Sequence, residues 1–582
     1  MGATVEELQQ LPKRLTIWEH LFERPGGSGV RTSGQAAGFA DSTSGARLSF
    51  LELRAQSIRL SHAFLQVLKL RAGDIVSIFC RNSTWYPIVV FAASRIGLVV
   101  APSSPGATAE EMVHVLQTLN LKAIVVDSQS NAAVQRALAA LHSSSVFPCC
   151  PILTWDMDHL PPDQRARSIH GLLAAAADAD DDDDDYNDDA GSRIPSVASS
   201  HWKISPDASN ADTCAFLCFT SGTTRAPKAV MISHRNLIAQ LHQVKALYGP
   251  GEHSWIVLGV LPFYHITGIV HLLHLPLIMC QEFVVMPSFN MDSMLQTIED
   301  YQCNELWLVP PLLIRLADLP PAGRRRLSHV LQFNTGAAPL APEVIRKLKE
   351  AFPKIALRQA WGMTETCSCL TITPSGLQTW ENAWTAGKPV AGASLKIVGP
   401  GTRDEEVDAG QSGEILAKGP QVAIGYFNNA EETQKSFRQD GFVVTGDIGR
   451  MTADGFVVII DRIKDLIKVK GVGIAPTELE DAVMRHHAVQ DVGVSGIRDA
   501  RAGEAPRAYV VLKRGISPSD AAGLSILDLV HKVKSRDKWL RGGIAFVASV
   551  PKSESGKILR RMLESVPVLL HVPYSSASSA SL

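Results

Sequence analysis

The sequence predicts an α/β fold made of doubly wound, largely parallel sheets, with a small β-rich unit after them. Two observations carry that expectation. In the first quarter of the chain, stretches with apolar residues at helical spacing alternate with continuous apolar runs of strand length. Such alternation builds parallel sheets covered on both faces, because each crossover must return over the sheet. From Gly387 to Tyr426 the pattern changes: valine, glycine and proline become frequent, in GKPVAGASLKIVGP and then SGEILAKGPQVAIGY. That composition predicts short antiparallel strands joined by turns.

Taken in order, Leu51–Leu70 (LELRAQSIRLSHAFLQVLKL) has the spacing of an amphipathic helix, and a turn follows at Arg71–Asp74. Ile75–Cys80 reads as a strand, Tyr86–Val100 as a further apolar helical stretch, and Lys122–Asp127 (KAIVVD) as a buried strand. Asp178–Asp189, DADDDDDDYNDD, is a block of like charge that cannot bury apolar area, so a disordered surface insertion is expected over 176–192. Later, LWLVPPLLIRLA (Leu306–Ala317) reads as strand, turn and helix, and Gly441–Gly471 as a meander. The serine- and alanine-rich tail, 571–582, is expected to be disordered.

At 582 residues the chain can bury several sizeable cores. A net charge of -2 gives no reason to expect nucleic acid or an anionic membrane as partner. No run approaches 18 to 20 apolar residues, so no membrane span is expected, and the N-terminal stretch lacks the apolar core of a signal peptide. The nine cysteines show no C-x-x-C or metal-ligand spacing, which favours reduced thiols in the cytoplasm. The last residues, Ala-Ser-Leu, loosely resemble a peroxisomal Ser-Lys-Leu tail and leave that compartment as an alternative.

The most chemically loaded stretch is Phe219–Asn236, FTSGTTRAPKAVMISHRN. Thr220, Ser221, Gly222, Thr223 and Thr224 offer hydroxyls and close backbone approach, and Lys228 offers a positive charge. That combination suits a polyphosphate, although the spacing is not the G-x-x-x-x-G-K-[ST] loop. A polar turn between two strands is the alternative from composition alone.

The stretch resembles the phosphate-binding signature of the adenylate-forming superfamily, which includes acyl-CoA synthetases, amino-acid adenylation domains and beetle-type luciferases. Arg225 and Ala229 stand where that family usually has glycine. Further segments share the resemblance in the family's order: LPFYHITGIVH (Leu261–His271), FNTGAAPL (Phe333–Leu340), RQAWGMTETC (Arg358–Cys367), T-G-D at Thr445–Asp447, DRIKDLIKVKGVGIAPTELE from Asp461, and PKSESGKILRRML (Pro551–Leu563). The chain is thereby identified as a member most similar to the aryl- and acyl-CoA ligases, including 4-coumarate–CoA ligase.

What the resemblance implies is specific. A large N-terminal AMP-binding domain, 1–460, would be followed by a small mobile α+β lid, 461–570. ATP would be bound by the loop from Thr220 to Lys228, by Gly336 and Ala337, by Trp361, Gly362, Met363 and Thr364, and by Asp447 and Arg462. Trp361 would stack on adenine and Asp447 would accept the ribose hydroxyls. Glu365 would hold Mg²⁺, with Thr220 as a second contact. A carboxylate beside polyphosphate needs such a hard cation between them. His265, Ile266 and Thr267 would line the acyl tunnel, with His265 its gate. Lys464 would be the hinge, and Lys468, Lys470 and Gly471 would face the side where CoA forms the thioester. Lys557 would reach the acyl carboxylate and the α-phosphate.

The implied activity is ATP-dependent ligation of a carboxylic acid to CoA through an acyl-adenylate. LPFYHITG has no aspartate to pair with a substrate amine, which disfavours an amino acid. Thr267 replaces the tyrosine frequent in hydroxycinnamate-specific relatives, and the apolar run of Ile266, Ile269 and Val270 suggests an aryl or medium-chain acid. Gly473 replaces a glutamine of the 4-coumarate–CoA ligases. Three rivals stay open: transfer to a carrier-protein phosphopantetheine, luciferase-like oxygen chemistry, and a non-catalytic ATP-binding protein.

Overall fold

The computed structural model describes residues 8, 10–23, 37–142, 150–156, 168–178, 201–220, 227–249, 255–399, 405–470, 472–499, 501–553 and 556–574. Four sheets organise it into a large N-terminal and a small C-terminal domain. The first sheet has seven strands in the order Gly425–Tyr426, Ala229–Ser233, Cys214–Phe219, Val99–Ser103, Ile75–Phe79, Leu121–Val126 and Ile152–Thr154. From Cys214–Phe219 onward the pairings are parallel, and the first two joints are antiparallel. Ile75–Phe79 is buried throughout, as expected of a strand covered on both faces.

The second sheet has nine strands, with a parallel centre running from Ala356–Met363 through Gln332–Thr335, Glu305–Leu308, Ile256–Gly259 and Glu282–Val285 to Gly38–Asp41. Antiparallel strands close both edges. A four-stranded antiparallel sheet follows: Ser394–Val398, Gly413–Lys418, Val443–Met451 and Val457–Arg462. This is the β-rich unit that the composition foretold. The C-terminal sheet has six strands, with Gly503–Leu512 paired to Val489–Asp499, Ile467–Val469 and Ile544–Val547. The helices Pro476–Met484 and Asp520–Val533 contribute to its core.

Local chemistry explains the helix starts. Ser49 and Glu52 form a reciprocal cap at the head of Phe50–Gln66, and Ser233 with Asn236 does so for His234–Lys245. Asn236 also donates from Nδ2 to the carbonyls of Pro420 and Val422, both at 2.8 Å, which ties that helix to the segment leading into Tyr426.

Two boundaries differ from the sequence expectation. The helical stretch read through Val100 is the helix Trp85–Arg95 followed by the strand Val99–Ser103. Gly97, at φ +73°, ends the helix where Trp202 leaves no room for a Cβ. An apolar run alone cannot separate a buried helix from a buried strand. Beyond His265, where the sequence predicts no helix boundary, Gly268–His274 is π-helical. The chain past Leu570 continues the strand Val568–Val572, where His571 pairs with Ala545. Of the acidic insertion, 176–178 closes the helix Ile169–Asp178 and the rest lies outside the described residues, as does 575–582. No described helix is long and apolar enough to cross a membrane.

Candidate active site

The strands Cys214–Phe219 and Ala229–Ser233 form a hairpin whose neck is closed by Thr220 N–H on Lys228 O at 2.9 Å. The Thr220 hydroxyl accepts from Lys228 N–H at 3.4 Å. Ser221, Gly222, Thr223 and Thr224 lie between, outside the described residues. The antiparallel pairing therefore fixes where that loop begins and ends.

Strand Ala356–Met363 leads into a 3₁₀ turn, Thr364–Thr366. Gly362 sits at an irregularity in the pairing where a Cβ would lie 1.6 Å from Ser368 O, so only glycine fits. Thr366 Oγ1 accepts from Met363 N–H at 3.1 Å and sets the turn. Thr364 and Met363 stay half-buried, while Glu365 is buried. Oε1 of Glu365 accepts the Tyr426 hydroxyl at 2.7 Å. Burial, and then the Glu365 carboxylate, push the Tyr426 phenol up, so it remains a donor. Gly336 opens a close approach to the same strand: a Cβ there would lie 3.0 Å from Ala360 O. Ala337 follows it exposed, in the left-handed region at φ +70°.

Asp447 is buried at the start of the last antiparallel pairing, opposite Arg462. Trp361 Nε1 donates to Asp447 Oδ2 at 2.8 Å, and Arg462 Nε donates to Oδ1 at 3.1 Å. Both carboxylate oxygens thus have protein partners as well as lone pairs to spare for further donors.

The turn carrying Lys557 comes from the C-terminal domain. It is closed by Ser553 N–H on Lys557 O at 2.8 Å and by Lys557 N–H on Ser553 Oγ at 3.2 Å. Gly556, at φ +81°, packs so closely on the N-terminal domain that a Cβ would lie 3.0 Å from Pro311 Cδ. Burial, and then the neighbouring Arg462, lower the Lys557 ammonium to about 8, while Asp447, Glu365 and Asp465 oppose the fall. The same lysine faces His265, whose imidazole is brought down to about 4 by burial first and Lys557 second. His265 is therefore neutral at working pH. Ile266 is buried beside it and Thr267 is half-buried.

The structure thus brings Lys557, Arg462, Asp447, Glu365 and His265 into one region. It does not bring Lys468 and Lys470 there. Both are exposed on the hairpin Ile467–Val469 and Val472–Ile474, with Lys470 at φ +50° in its turn and Gly471 outside the described residues. Lys464 is exposed in the 3₁₀ turn Ile463–Asp465. Flanking it, the Asp461 carboxylate accepts from Thr477 N–H at 3.1 Å and from its hydroxyl at 2.8 Å.

Sequence reasoning missed several partners. Tyr426 and Glu432 engage Glu365 and Lys228. Behind the Thr364–Thr366 turn, His271 Nε2 is hydrogen-bonded to Ser368 Oγ at 3.0 Å, and Gln240 Oε1 accepts from Cys369 N–H at 3.0 Å. No residue type or spacing signals these contacts, most of which bring helix side chains against strands distant in sequence. Among the described residues no cluster of three or more His, Cys, Asp or Glu could hold a metal by itself.

Comparison with known proteins gives the same family twice over. Residues 30–427 match the AMP-binding enzyme family and residues 478–557 match the AMP-binding enzyme C-terminal domain. The chain is similar to probable 4-coumarate–CoA ligase 2 of Dictyostelium discoideum, at 32% identity over 86% of this chain and 87% of that one. It is similar to peroxisomal OPC-8:0-CoA ligase 1 of Arabidopsis thaliana, at 29% identity over 90% and 89%. Among solved structures, an ATP-bound RpMatB–BxBclM chimera matches with a TM-score of 0.79 and 25% identity, covering 94% of this chain and 98% of that one.

Proposed function

The chain belongs to the AMP-binding enzyme family of adenylate-forming enzymes, and from that premise we propose that it activates an aryl or medium-chain carboxylic acid as acyl-AMP and transfers the acyl group to CoA. The observation that carries this reading is the convergence of Lys557 from the small domain with Glu365 and Asp447 from the large one and Arg462 at the hinge. Those groups suit a reaction between two anions.

In the first step a carboxylate oxygen of the acid attacks the α-phosphorus of ATP, an O–P bond forms, and pyrophosphate leaves with its electron pair. Catalysis of such a step rests on positioning and charge neutralisation. Lys557 supplies positive charge to the approaching carboxylate and the α-phosphate. His265, held neutral, closes the acyl side without adding charge. Asp447 orients the ribose while Trp361 and Arg462 fix its own carboxylate. Lys228 and the hydroxyl loop take the outer phosphates.

Glu365 fits Mg²⁺ as one protein carboxylate that would hold the ion together with substrate phosphates, in keeping with the lack of a larger ligand cluster among the described residues. Bound there, the ion would neutralise phosphate charge. The Tyr426 hydroxyl engages Glu365 Oε1, so Oε2 would be the oxygen to hold the ion.

In the second step the CoA thiolate attacks the acyl carbonyl and AMP leaves. Lys557 fills the site in the arrangement described here, so the small domain must swing about Lys464 to bring Lys468, Lys470 and Gly471 round. The cytoplasm is our reading of the compartment; the peroxisomal Arabidopsis relative keeps the alternative in play.

The test is pyrophosphate release from ATP and Mg²⁺ across a panel of carboxylic acids, with and without CoA. Acid-dependent release with an acyl-CoA product supports the proposal and identifies the substrate. Release without a CoA thioester points instead to a carrier-protein acceptor, and no release with any acid overturns the ligase reading.

A further inference from the structure

The ammonium of Lys228 is not waiting in open solvent. Its Nζ lies 2.7 Å from Glu432 Oε2 and 4.4 Å from the centroid of the Tyr426 ring. Glu432 is held there by its own surroundings. Asn429 caps the helix Ala430–Ser436 and accepts from Glu432 N–H at 3.1 Å. Thr433 Oγ1 accepts from Tyr426 N–H at 2.9 Å, and Gly425, at φ +151°, lets Thr433 come that close. Gly425 and Tyr426 pair in turn with Met231 and Val230, three and two residues beyond Lys228. Lysine and glutamate therefore sit on one rigid unit. Their pairing is built into the sheet.

We propose that Glu432 is the resident counter-ion of Lys228, displaced when a polyphosphate binds and re-engaged when pyrophosphate leaves. The proposal rests on the assignment of Lys228 to polyphosphate made above. Three features suit the exchange. The pair is about one-third exposed, at 29% for Lys228 and 34% for Glu432, so it is weak enough for a multiply charged anion to open. Glu432 does not lose all compensation when released, because Lys435 Nζ holds Oε1 at 3.0 Å. The carboxyl is held down to about 2, by Lys228 first and Lys435 second, so it stays a competing anion across the working pH range. Tyr426 joins the exchange to the Mg²⁺ position, since one face of its ring carries Lys228 and its hydroxyl holds Glu365. Lys228 thus trades one anion for another without being left unpaired.

The experiment is equilibrium binding of inorganic pyrophosphate, and of ATP with no acid present, to the full chain and to Glu432→Gln, Glu431→Gln, Lys228→Ala and Lys228→Ala/Glu432→Gln. Glu432→Gln should tighten both ligands by roughly two- to fivefold and slow pyrophosphate dissociation by a similar factor. Glu431→Gln removes the same charge one residue away, from a side chain whose ion pair among the described residues is with Lys435, and should leave affinity unchanged. In the Lys228→Ala background, Glu432→Gln should have no effect. Equal tightening by Glu431→Gln, or no tightening by Glu432→Gln while Lys228→Ala weakens binding, overturns the counter-ion role and leaves the Lys228 assignment standing. Unchanged pyrophosphate affinity in Lys228→Ala overturns that assignment and this proposal with it.

Discussion

Trp361 Nε1 donates to Asp447 Oδ2 at 2.8 Å inside a buried contact, and Arg462 Nε holds the other oxygen. Three segments that read as separate motifs are therefore one hydrogen-bonded unit, running from the large domain to the edge of the hinge. Trp361→Phe keeps the aromatic ring proposed to stack on adenine and deletes the donor. A buried acceptor left without its partner costs roughly 1 to 3 kcal/mol, so both thermal stability and ATP affinity should fall. Thermal unfolding and ATP titration without acid check this. If neither moves, the indole bond is dispensable and ring stacking alone matters.

The pH dependence of adenylation follows from Lys557. Burial, and then Arg462, bring its ammonium down to about 8 from an ordinary 10.5. Raising pH through 8 removes the charge proposed to bring the two anions together, so the pyrophosphate-releasing step should decline there. Thioester formation from supplied acyl-AMP should not share that limb. For stability the sign is opposite: the cost of burying the charged form is fully present below about 8 and is relieved between 8 and 10.5. Lys557→Arg retains charge to higher pH and should move the decline upward, read from the rate profile of pyrophosphate release. A decline at the same pH in that variant would assign the limb to another group.

Gly556 tests the docking of the small domain without touching the lysine itself. Its φ of +81° and its position against Pro311 leave no space for a larger side chain. Gly556→Val should hold the Lys557 turn off the large domain and lower adenylation by more than about tenfold, since small displacements of positioning groups cost factors of this size. Conversion of supplied acyl-AMP and CoA should be spared, as it should be in Lys557→Ala. Equal loss of both half-reactions would show that the turn acts through folding rather than through docking.

The order of the motifs made much of this site legible. Lys228, Glu365, Asp447, Arg462 and Lys557 each sit in a short stretch whose residue types match a phosphate, ribose or carboxylate task. Their partners were not legible. Tyr426 and Glu432 reach Glu365 and Lys228 because Gly425–Tyr426 pairs with Ala229–Ser233 across nearly two hundred residues of chain. No local periodicity encodes that. The fold shows the same division. Ile75–Phe79 and Leu121–Val126 were readable as strands from continuous apolar runs, whereas the Arg95 helix end depended on how Gly97 meets Trp202, a contact from a distant segment. The His271–Ser368 bond was equally hidden, because either residue alone reads as ordinary packing.

Two glycines should answer the addition of a side chain in opposite ways. At Gly362 a Cβ would meet the Ser368 carbonyl oxygen at 1.6 Å, with Cys369 Cα at 2.9 Å behind it. Backbone atoms in a paired strand cannot step aside, so Gly362→Ala must open the pairing that sets the Thr364–Thr366 turn. A loss of more than about 3 kcal/mol is expected, with a lowered melting temperature and weakened ATP binding. Gly473 is exposed opposite Lys468, and its Cβ would meet the end of the Leu466 side chain at 2.8 Å. A terminal methyl can rotate away, so Gly473→Gln, which restores the residue of the 4-coumarate–CoA ligases, should fold with a nearly unchanged melting temperature. Any effect should fall on whichever half-reaction uses that hairpin, and the thioester step is the one expected to change. A large drop in melting temperature for Gly473→Gln would mean that Leu466 is locked in place and that glycine is required there for packing rather than tolerated.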